Sequence, residues 1–386
     1  MLSARNVEQG RIVFDDFRFI SNDAFVSENA RTRITPGDVL LTIVGTIGRS
    51  AVVPEGLGPF ALQRSVAVLA PKPDLLPKFL SYQLQSPRIQ RHFETNARGT
   101  AQKGVYLKTL GETPIIVPRI GEQHEIVAEI EKQFSRLDEA IAGLKRVKAN
   151  IKRYKAAILK AAVEGCLGLA EAELAHSQGR AEWRIVSLNE VAQITGGLTK
   201  NPKRHEYPRK LPYLRVANIY ANELRLDEIE YIGVTDREVD KLLLRRGDML
   251  VVEGNGSPDQ IGRVALWDGS IANCVHQNHL IKVRLGSEVM PEWALIWLLS
   301  PGGRHEIEQV SSSTSGLHTL STGKVSRLPL PLPPLAEQHR IVAEVDRLLS
   351  IAHEADAEVD TNLKRAHGLR QGILAAAFSP GTGVPS

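Results

Sequence analysis

From Glu122 onward the apolar positions fall at Val127, Ile130, Phe134, Leu137, Ile141 and Leu144. Steps of three and four put them on one stripe of an α-helix, the heptad seam of a coiled coil. The next apolar residue, Val147, comes only three on, and the rhythm then resumes through Ile151, Tyr154 and Ile158. Two consecutive steps of three form a stammer, which locally overwinds a supercoil. Glu122–Val163 is 42 residues, so roughly 60 Å of helix. A second stretch keeps the register more weakly, with Val342, Val345, Leu349 and Ala352, then Asp356 where the first stretch has Ile141. Pro118 and the Pro329–Pro334 cluster stop the strands expected before these helices, and Glu122 or Glu337 then faces the positive pole of the helix dipole.

Away from the helices the pattern changes to short runs rich in β-branched residues, bounded by Gly, Pro or Asp. Val39–Val44, Ser50–Val53, Val66–Leu69, Met249–Val252, Val264–Trp267 and Leu280–Leu285 read as strands. Phe79–Leu84 and Trp293–Leu298 read as short helices ended by Ser-Pro, and Leu167–Arg180 as a small-residue linker.

The same order of elements occurs twice. Displaced by 215 positions, Thr113–Gly165 falls on Leu328–Pro380 without a gap, with 17 of 53 pairs identical. The densest block sets Glu122-Gln123-His124 and Ile126–Glu129 on Glu337-Gln338-His339 and Ile341–Glu344. Ile158–Ala162 meets Ile373–Ala377. Upstream, Leu2–Val7 resembles Leu214–Ile219, Pro36–Leu40 resembles Arg246–Leu250, and Ile47–Ala51 resembles Ile261–Ala265. The chain is a duplication.

The expected fold is therefore α/β (α+β): two mixed modules and two long helices that cover each other's apolar stripe, both orientations being sterically possible and an antiparallel pair generating a pseudo-twofold axis. The divisions are module 1 at 1–117, helix 1 at 118–165, linker at 166–182, module 2 at 183–332, helix 2 at 333–379 and tail at 380–386. The pairing seam is Val127, Ile130, Phe134, Leu137, Ile141, Leu144, Ile151 and Ile158 against Val342, Val345, Leu349 and Ile373. The alternative is that each helix packs on its own module as ordinary core.

Composition narrows the setting. The chain has 386 residues, 42% hydrophobic, and its longest apolar runs are far too short to cross a bilayer. No charged-then-apolar leader opens it, so a cytoplasmic location is expected. Cys166 and Cys274 alone build neither a disulfide framework nor a zinc site. The formal charge of +4 permits nucleic acid as a partner without arguing strongly for it.

Catalytic signatures do not emerge. Gly316 to Gly323-Lys324-Val325 has the wrong spacing for a phosphate-binding loop, with Val where Ser or Thr belongs. Gly254-Asn255-Gly256 leads into Ser-Pro-Asp rather than a dinucleotide pattern, and the Asn-Pro-Pro-aromatic motif of amino-methyltransferases is missing. Asp38 and Asp248 follow Gly at the head of a strand, where a turn role explains them. His276 and His279 would point to opposite faces of a strand, so no metal site is expected.

Basic residues are more pointed. Lys145, Arg146, Lys148, Lys152, Arg153, Lys155 and Lys160 crowd sixteen residues that contain no acid. Lys200, Lys203, Arg204, Arg209, Lys210 and Arg215 make a second run around a single Glu206. Each could be a solvated surface; together they favour phosphate contact. Nearby loops carry side chains suited to base edges, Arg to guanine and Asn or Gln to adenine. The candidates in module 1 are Arg5, Asn6, Arg49, Gln63, Arg64, Arg98 and Lys103. In module 2 they are Lys200, Lys203, Arg204, Arg215, Asn218, Asn255, Ser257, Gln260, Arg263, Gln277, Asn278, Thr314 and His318.

At this point the chain resembles the DNA-specificity subunits of type I restriction–modification systems. The likeness rests on the Pro-rich segment running into Glu-Gln-His-x-Ile-Val at Pro118–Val127 and Pro333–Val342, the two helices ending in Ile-Leu-x-Ala-Ala, and the Trp183, Leu188, Val191 opening of module 2. It implies that each module is a target recognition domain reading one half of a bipartite site in double-stranded DNA. It also implies that the two helices pair as an antiparallel coiled coil, act as a ruler and dock methyltransferase subunits, which in turn bring restriction and translocase subunits. The chain itself would be non-catalytic, with AdoMet, ATP and Mg²⁺ on the partners. One departure stands out: Leu2 matches Leu214, so Glu182–Tyr213 has no counterpart in the first copy. The first recognition domain is accordingly expected to be incomplete, its half-site reading impaired or altered. The rival reading is a scaffold or rearranged allele that binds methyltransferase without reading a complete site.

Overall fold

The computed structural model describes residues 1–99, 103–167, 183–254, 261–311 and 319–379. The chain divides into two compact units, Met1–Val147 with Glu358–Ser386, and Lys148–Ala357, so the division falls inside both long helices.

The first unit opens with a hairpin, β1 (Val7–Glu8) and β2 (Arg11–Ile12), followed by α1 (Asn22–Thr32). Its sheet has the order β4-β3-β5, formed by β3 (Val39–Thr42), β4 (Ser50–Val52) and β5 (Val66–Leu69), all antiparallel. Leu40 faces one layer with Leu2, Val7, Ala51, Leu62 and Val66. Val39 and Leu41 face the other, against Leu80, Leu84, Ile89 and Phe93. Those last residues come from α2 (Pro77–Gln85) and α3 (Pro87–Asn96), each begun by a proline whose missing N–H costs nothing in a first turn. Burial on both faces is why β3 reads as a continuous apolar run instead of an alternation. After α4 (Leu107–Gly111) comes the first long helix, α5 (Ile120–Val163), where the Glu122 carboxylate accepts the Arg119 N–H at 3.0 Å.

The second unit repeats and enlarges this plan. It adds β6 (Arg184–Ser187), α6 (Leu188–Val191), β7 (Ala192–Gly196) and β8 (Lys210–Leu214) before its own hairpin, β9 (Ile219–Tyr220) with β10 (Glu223–Leu224). Then follow β11 (Glu230–Gly233), α7 (Asp236–Leu242), β12 (Met249–Val252), β13 (Val264–Leu266), β14 (Val275–His276) and β15 (Leu280–Leu285). The helices α8 (Pro291–Leu299), α9 (Pro301–Ser311) and α10 (Thr322–Ser326) lead to β16 (Pro329–Leu332) and the second long helix, α11 (Leu335–Ala377). The sheet β13-β12-β15-β7 carries one more strand than its counterpart, and β8 pairs with both β11 and β14. Met249 and Val251 face a core centred on Trp293, while Leu250 and Val252 face Trp267 and Cys274. Both cysteines are free thiols.

The strand expectations hold to within a residue or two: Val44, Val53 and Trp267 lie just past the ends of β3, β4 and β13. One correction concerns the run before each long helix. Pro329–Leu332 is a strand paired with β6, whereas Pro114–Val117 has no strand partner among the described residues and forms no strand.

The long helices do both things the sequence left open. In the first unit Val127, Ile130 and Phe134 pack with Leu374 of α11, with Phe378 just past its end, and also with Phe79 of α2. Arg370 reaches Asp138 at 3.4 Å and lies 4.4 Å over the Phe134 ring. In the second unit Ile158 and Ala162 share the module core with Ile341, Val342 and Val345. Lys155 pairs with Asp356 at 2.8 Å, and Arg340 donates to the Leu167 carbonyl at 2.8 Å. As the α5 number rises the α11 partner falls, so each unit holds an antiparallel pair. Leu137 is buried, whereas Ile141, Leu144, Ile151, Leu349 and Ile373 are half-buried.

Candidate nucleic-acid interface

At one end of each sheet three loops are stitched together by backbone hydrogen bonds. In the first unit Ile43 donates to the Ser65 carbonyl at 2.9 Å and accepts from Val105 at 2.8 Å. In the second, Glu253 donates to the His279 carbonyl at 2.9 Å and accepts from Leu320 at 2.6 Å. The flanking bridges agree: Val44 pairs with Gly104, and Gly254 with Thr319. Strand ends therefore gather the turn after β3, the turn before β5 and the loop after α3 into one edge. The second unit does the same with Glu253 and Gly254 after β12, the turn after β14, and Thr319 and Leu320 ahead of α10.

A fourth segment joins each edge. Gln63 donates its backbone N–H to Leu2 at 2.8 Å, as Gln277 does to Leu214 at 2.9 Å. The segment that follows is folded back by a buried asparagine. Asn6 accepts from Ser3 N–H at 2.8 Å and donates to the Val13 and Asp15 carbonyls. Asn218 accepts from Arg215 N–H at 2.8 Å and donates to Arg225 and Glu228.

The electrostatics of the two edges differ. In the first unit Arg64, Arg98 and Lys103 are exposed, Arg49 is half-buried, and Arg5 has a solvent-exposed Asp16 at 3.5 Å. In the second, Arg263 and Arg225 lie on the Tyr220 ring at 4.7 and 3.7 Å, and Glu253 pairs with His279 at 3.0 Å. Such an edge, rich in guanidinium groups and carried on a rigid sheet, suits phosphate and base-edge contact. Among the described residues no group of His, Cys, Asp or Glu is arranged to hold a metal ion, and no helix is long and apolar enough to cross a membrane.

Comparison with known proteins decides the family. The family model of the type I restriction modification DNA specificity domain matches residues 11–153 and again 180–360. The chain belongs to that specificity family. It is similar to the type I restriction enzyme EcoKI specificity subunit of Escherichia coli K12, 23% identical over 385 residues covering 98% of this chain and 81% of that one. Similarity to the StySPI specificity subunit of Salmonella potsdam is 25% over 387 residues, again 98% and 81%. The fold resembles a chain solved in a study of the assembly and conformational transition of the type I R-M system, with TM-score 0.68, 22% identity and coverage of 89% and 82%. It also resembles the HsdS subunit from Thermoanaerobacter tengcongensis, with TM-score 0.51, 22% identity and coverage of 89% and 81%.

Within this specificity-family chain the sequence candidates separate by what their side chains already hold. Asn6 and Asn218 are loop staples, buried with both amide ends occupied, and cannot read bases in this conformation. Arg204 is likewise structural: it grips Glu238 through two bonds of 2.8 and 3.2 Å and donates to the Thr199 and Gly233 carbonyls. The Arg204 hydrogen bonds are the main reason the Glu238 carboxyl falls to about 2. Lys200 and Arg215 share Glu230, each at 2.7 Å, and Arg209 holds Asp236. The basic run of the second module is thus largely neutralised by residues 230–238, which sequence distance concealed. Lys203 is exposed and makes no ion pair among the described residues.

Gln277 spends its side-chain oxygen on Val216 N–H at 3.3 Å, while Asn278 lies half-buried with its amide 3.4 Å from His279. Asn255, Ser257, Gln260, Thr314 and His318 lie outside the described residues. The sequence reading overlooked Tyr220 and Arg225; an aromatic followed five residues later by Arg in an otherwise polar hairpin was the available signal. Asp38 and Asp248 are turn residues, each accepting an N–H three residues back at 2.7 Å.

Proposed function

We propose that this chain is the sequence-specific DNA-binding subunit of a type I restriction–modification complex, each module reading one half of a bipartite site. The observation that carries the reading is the stitched three-loop edge, built twice in one chain from matching backbone bonds. Non-identical side chains on the two edges then read different half-sites. Phosphate contacts from Arg5, Arg64, Arg98, Lys103 and Lys203 position the duplex, and loop side chains specify sequence.

The chain acts in the cytoplasm as a non-catalytic subunit. Methyltransferase subunits dock on the long helices, whose outer faces carry exposed Val147, Tyr154, Ile351 and Leu369. Restriction and translocase subunits join through them. AdoMet, ATP and Mg²⁺ belong to those partners, and the flipped adenine enters the methyltransferase pocket. The test is fluorescence anisotropy of the purified chain with its methyltransferase on a selected duplex and a random duplex, across a salt series. The expected result is preference for the selected duplex at every salt concentration, with affinity falling as salt rises. Equal affinity for both duplexes rejects the reading.

A further inference from the structure

Arg263, at the loop edge of the second unit, has its backbone locked from two sides. It follows Gly262, whose φ of 62° lies in the left-handed region that favours glycine. The Arg263 carbonyl accepts from Val252 N–H at 2.9 Å, and Gly262 donates back to the Val252 carbonyl at 3.1 Å. From α9, Arg304 donates through Nη1 to the Ile261 and Gly262 carbonyls at 2.9 and 3.1 Å. The first unit locks Arg49 by the same means. The Arg49 carbonyl accepts from Thr42 N–H at 2.9 Å, and Gly48 has a φ of 90°. Gln90, the fourth residue of α3 as Arg304 is of α9, donates to the Gly48 carbonyl at 2.9 Å.

In the second unit the side chain is oriented as well. The half-buried Arg263 guanidinium lies 4.7 Å over the Tyr220 ring, its Nη2 donates to the Val216 carbonyl at a long 3.4 Å, and its Nε is buried without a partner. Among the described residues no carboxylate pairs with it, whereas Arg225 on the same ring holds Glu223 at 2.8 Å and Arg215 holds Glu230 at 2.7 Å. In the hairpin of the first unit Glu8 stands where Tyr220 stands here, and it is taken by Arg11 at 2.7 Å. An aromatic ring holds a guanidinium by its face and leaves the in-plane N–H donors to a partner in that plane. With Nε enclosed, the donors that remain are those of the fork end, Nη1 and Nη2.

Building on the DNA-binding function proposed above, we infer that Arg263 reads a guanine in the half-site of the second module. Nη1 and Nη2 donate to the O6 and N7 acceptors in the major groove, Tyr220 is the platform, and Arg304 is a positioning residue. The two adjacent acceptors of guanine match the planar fork. A phosphate contact needs only charge within reach, which exposed Lys203 supplies without a clamp or a stacked ring. Fixing the side chain beforehand removes an ordering cost from binding, which is useful where one plane and one register must be met.

The test uses the full chain assembled with its methyltransferase, a duplex carrying the motif that this complex methylates, and duplexes with each base pair of that motif replaced in turn. Affinity is read by fluorescence anisotropy across a salt series. For Arg263→Ala the expected result is loss of discrimination at one G·C pair, by roughly tenfold or more, with the other positions read as before. Arg263→Lys keeps the charge and the salt slope but lacks the fork, so it loses the same discrimination; it carries the test if the alanine variant unfolds. Arg304→Ala should weaken discrimination at the same pair, and Arg304→Gln, the first unit's residue, should restore it. Uniform weakening on every duplex with a salt slope lower by about one marks a phosphate contact and overturns the inference. Discrimination retained at every pair, or lost at an A·T pair instead, also overturns it. A wild-type complex that discriminates at no position overturns the underlying DNA-reading function, and this assignment with it.

Discussion

Gln123 and Gln338, 215 positions apart, make the same three hydrogen bonds. Gln123 accepts from Leu76 N–H at 2.8 Å and donates to the Asp74 and Pro118 carbonyls at 2.8 and 2.9 Å. Gln338 accepts from Met290 N–H at 2.8 Å and donates to Glu288 and Pro333, both at 2.9 Å. Each amide is fully buried and ties the first turn of a long helix to the loop that starts α2 in the first unit or α8 in the second. Replacing Gln338 by Ala strands the Met290 N–H and two carbonyls. The expected loss is about 2 kcal/mol, read by urea unfolding of the purified chain. An unchanged midpoint would show that the clamp is idle.

The polar seam pairs predict a different kind of result. Asp356 occupies the position of Ile141, and Lys155 that of Arg370. Lys155 therefore meets an acid in its own register, whereas Arg370 must turn to Asp138. The Lys155–Asp356 pair is largely shielded from solvent, and Asp356 Oδ1 lacks a partner. Asp356→Leu alone should cost about 1 kcal/mol by leaving Lys155 unpaired. Combining it with Lys155→Leu should recover that loss or exceed it. A double-mutant cycle by thermal unfolding measures the coupling; additive single effects would contradict it.

His276 makes the second unit sensitive to acid. Its ring is fully buried, bonded through Nδ1 to the Leu280 carbonyl at 2.9 Å, with Nε2 unpartnered. Burial first, then the Lys282 charge, lowers its pKa from 6.5 to about 4, opposed by the backbone at Leu280 and Gln277 and by the Asp248 charge. Between those values the unfolded chain binds the extra proton, so stability is full above pH 6.5 and falls as pH drops toward 4. The loss is on the order of 3 kcal/mol. The first unit has Leu62 at the equivalent position, which suggests the test. His276→Leu should flatten the transition temperature between pH 7 and pH 4 in calorimetry, and an unaltered slope would assign the acid sensitivity elsewhere.

Two arginines that look alike in sequence should behave differently. Arg64→Ala should weaken DNA binding of the methyltransferase complex and reduce the salt slope by about one unit, with no change in folding. Arg204→Ala should leave that slope alone and destabilise the second unit by about 2–3 kcal/mol, because it breaks a doubly bonded, half-buried pair. Reversal of these phenotypes would mean that the ion pairs of residues 230–238 open on DNA.

Much of the fold was legible because it follows from periodicity. The seam of Val127 to Phe134, the strands around Leu40 and Leu250, and the duplication itself needed only spacing. What stayed hidden was pairing across sequence distance. Nothing local says that Arg204 finds Glu238 or that Lys200 and Arg215 share Glu230, so a basic run looked free when it was not. Asn6 and Asn218 looked like base readers because their residue type fits adenine equally well as it fits a tight loop; only burial separates the two. The loops that do converge, around Ile43 and Glu253, were each noted singly, while their meeting depends on sheet order.

The most direct measurement is single-molecule methylome sequencing of a host that expresses this chain with its methyltransferase. The expected outcome is one methylated motif of two specific parts separated by a fixed unspecified spacer, with Arg263→Ala altering only the part read by the second module. Methylation of a single contiguous motif, or none above a host carrying the methyltransferase alone, would contradict two reading edges in one chain.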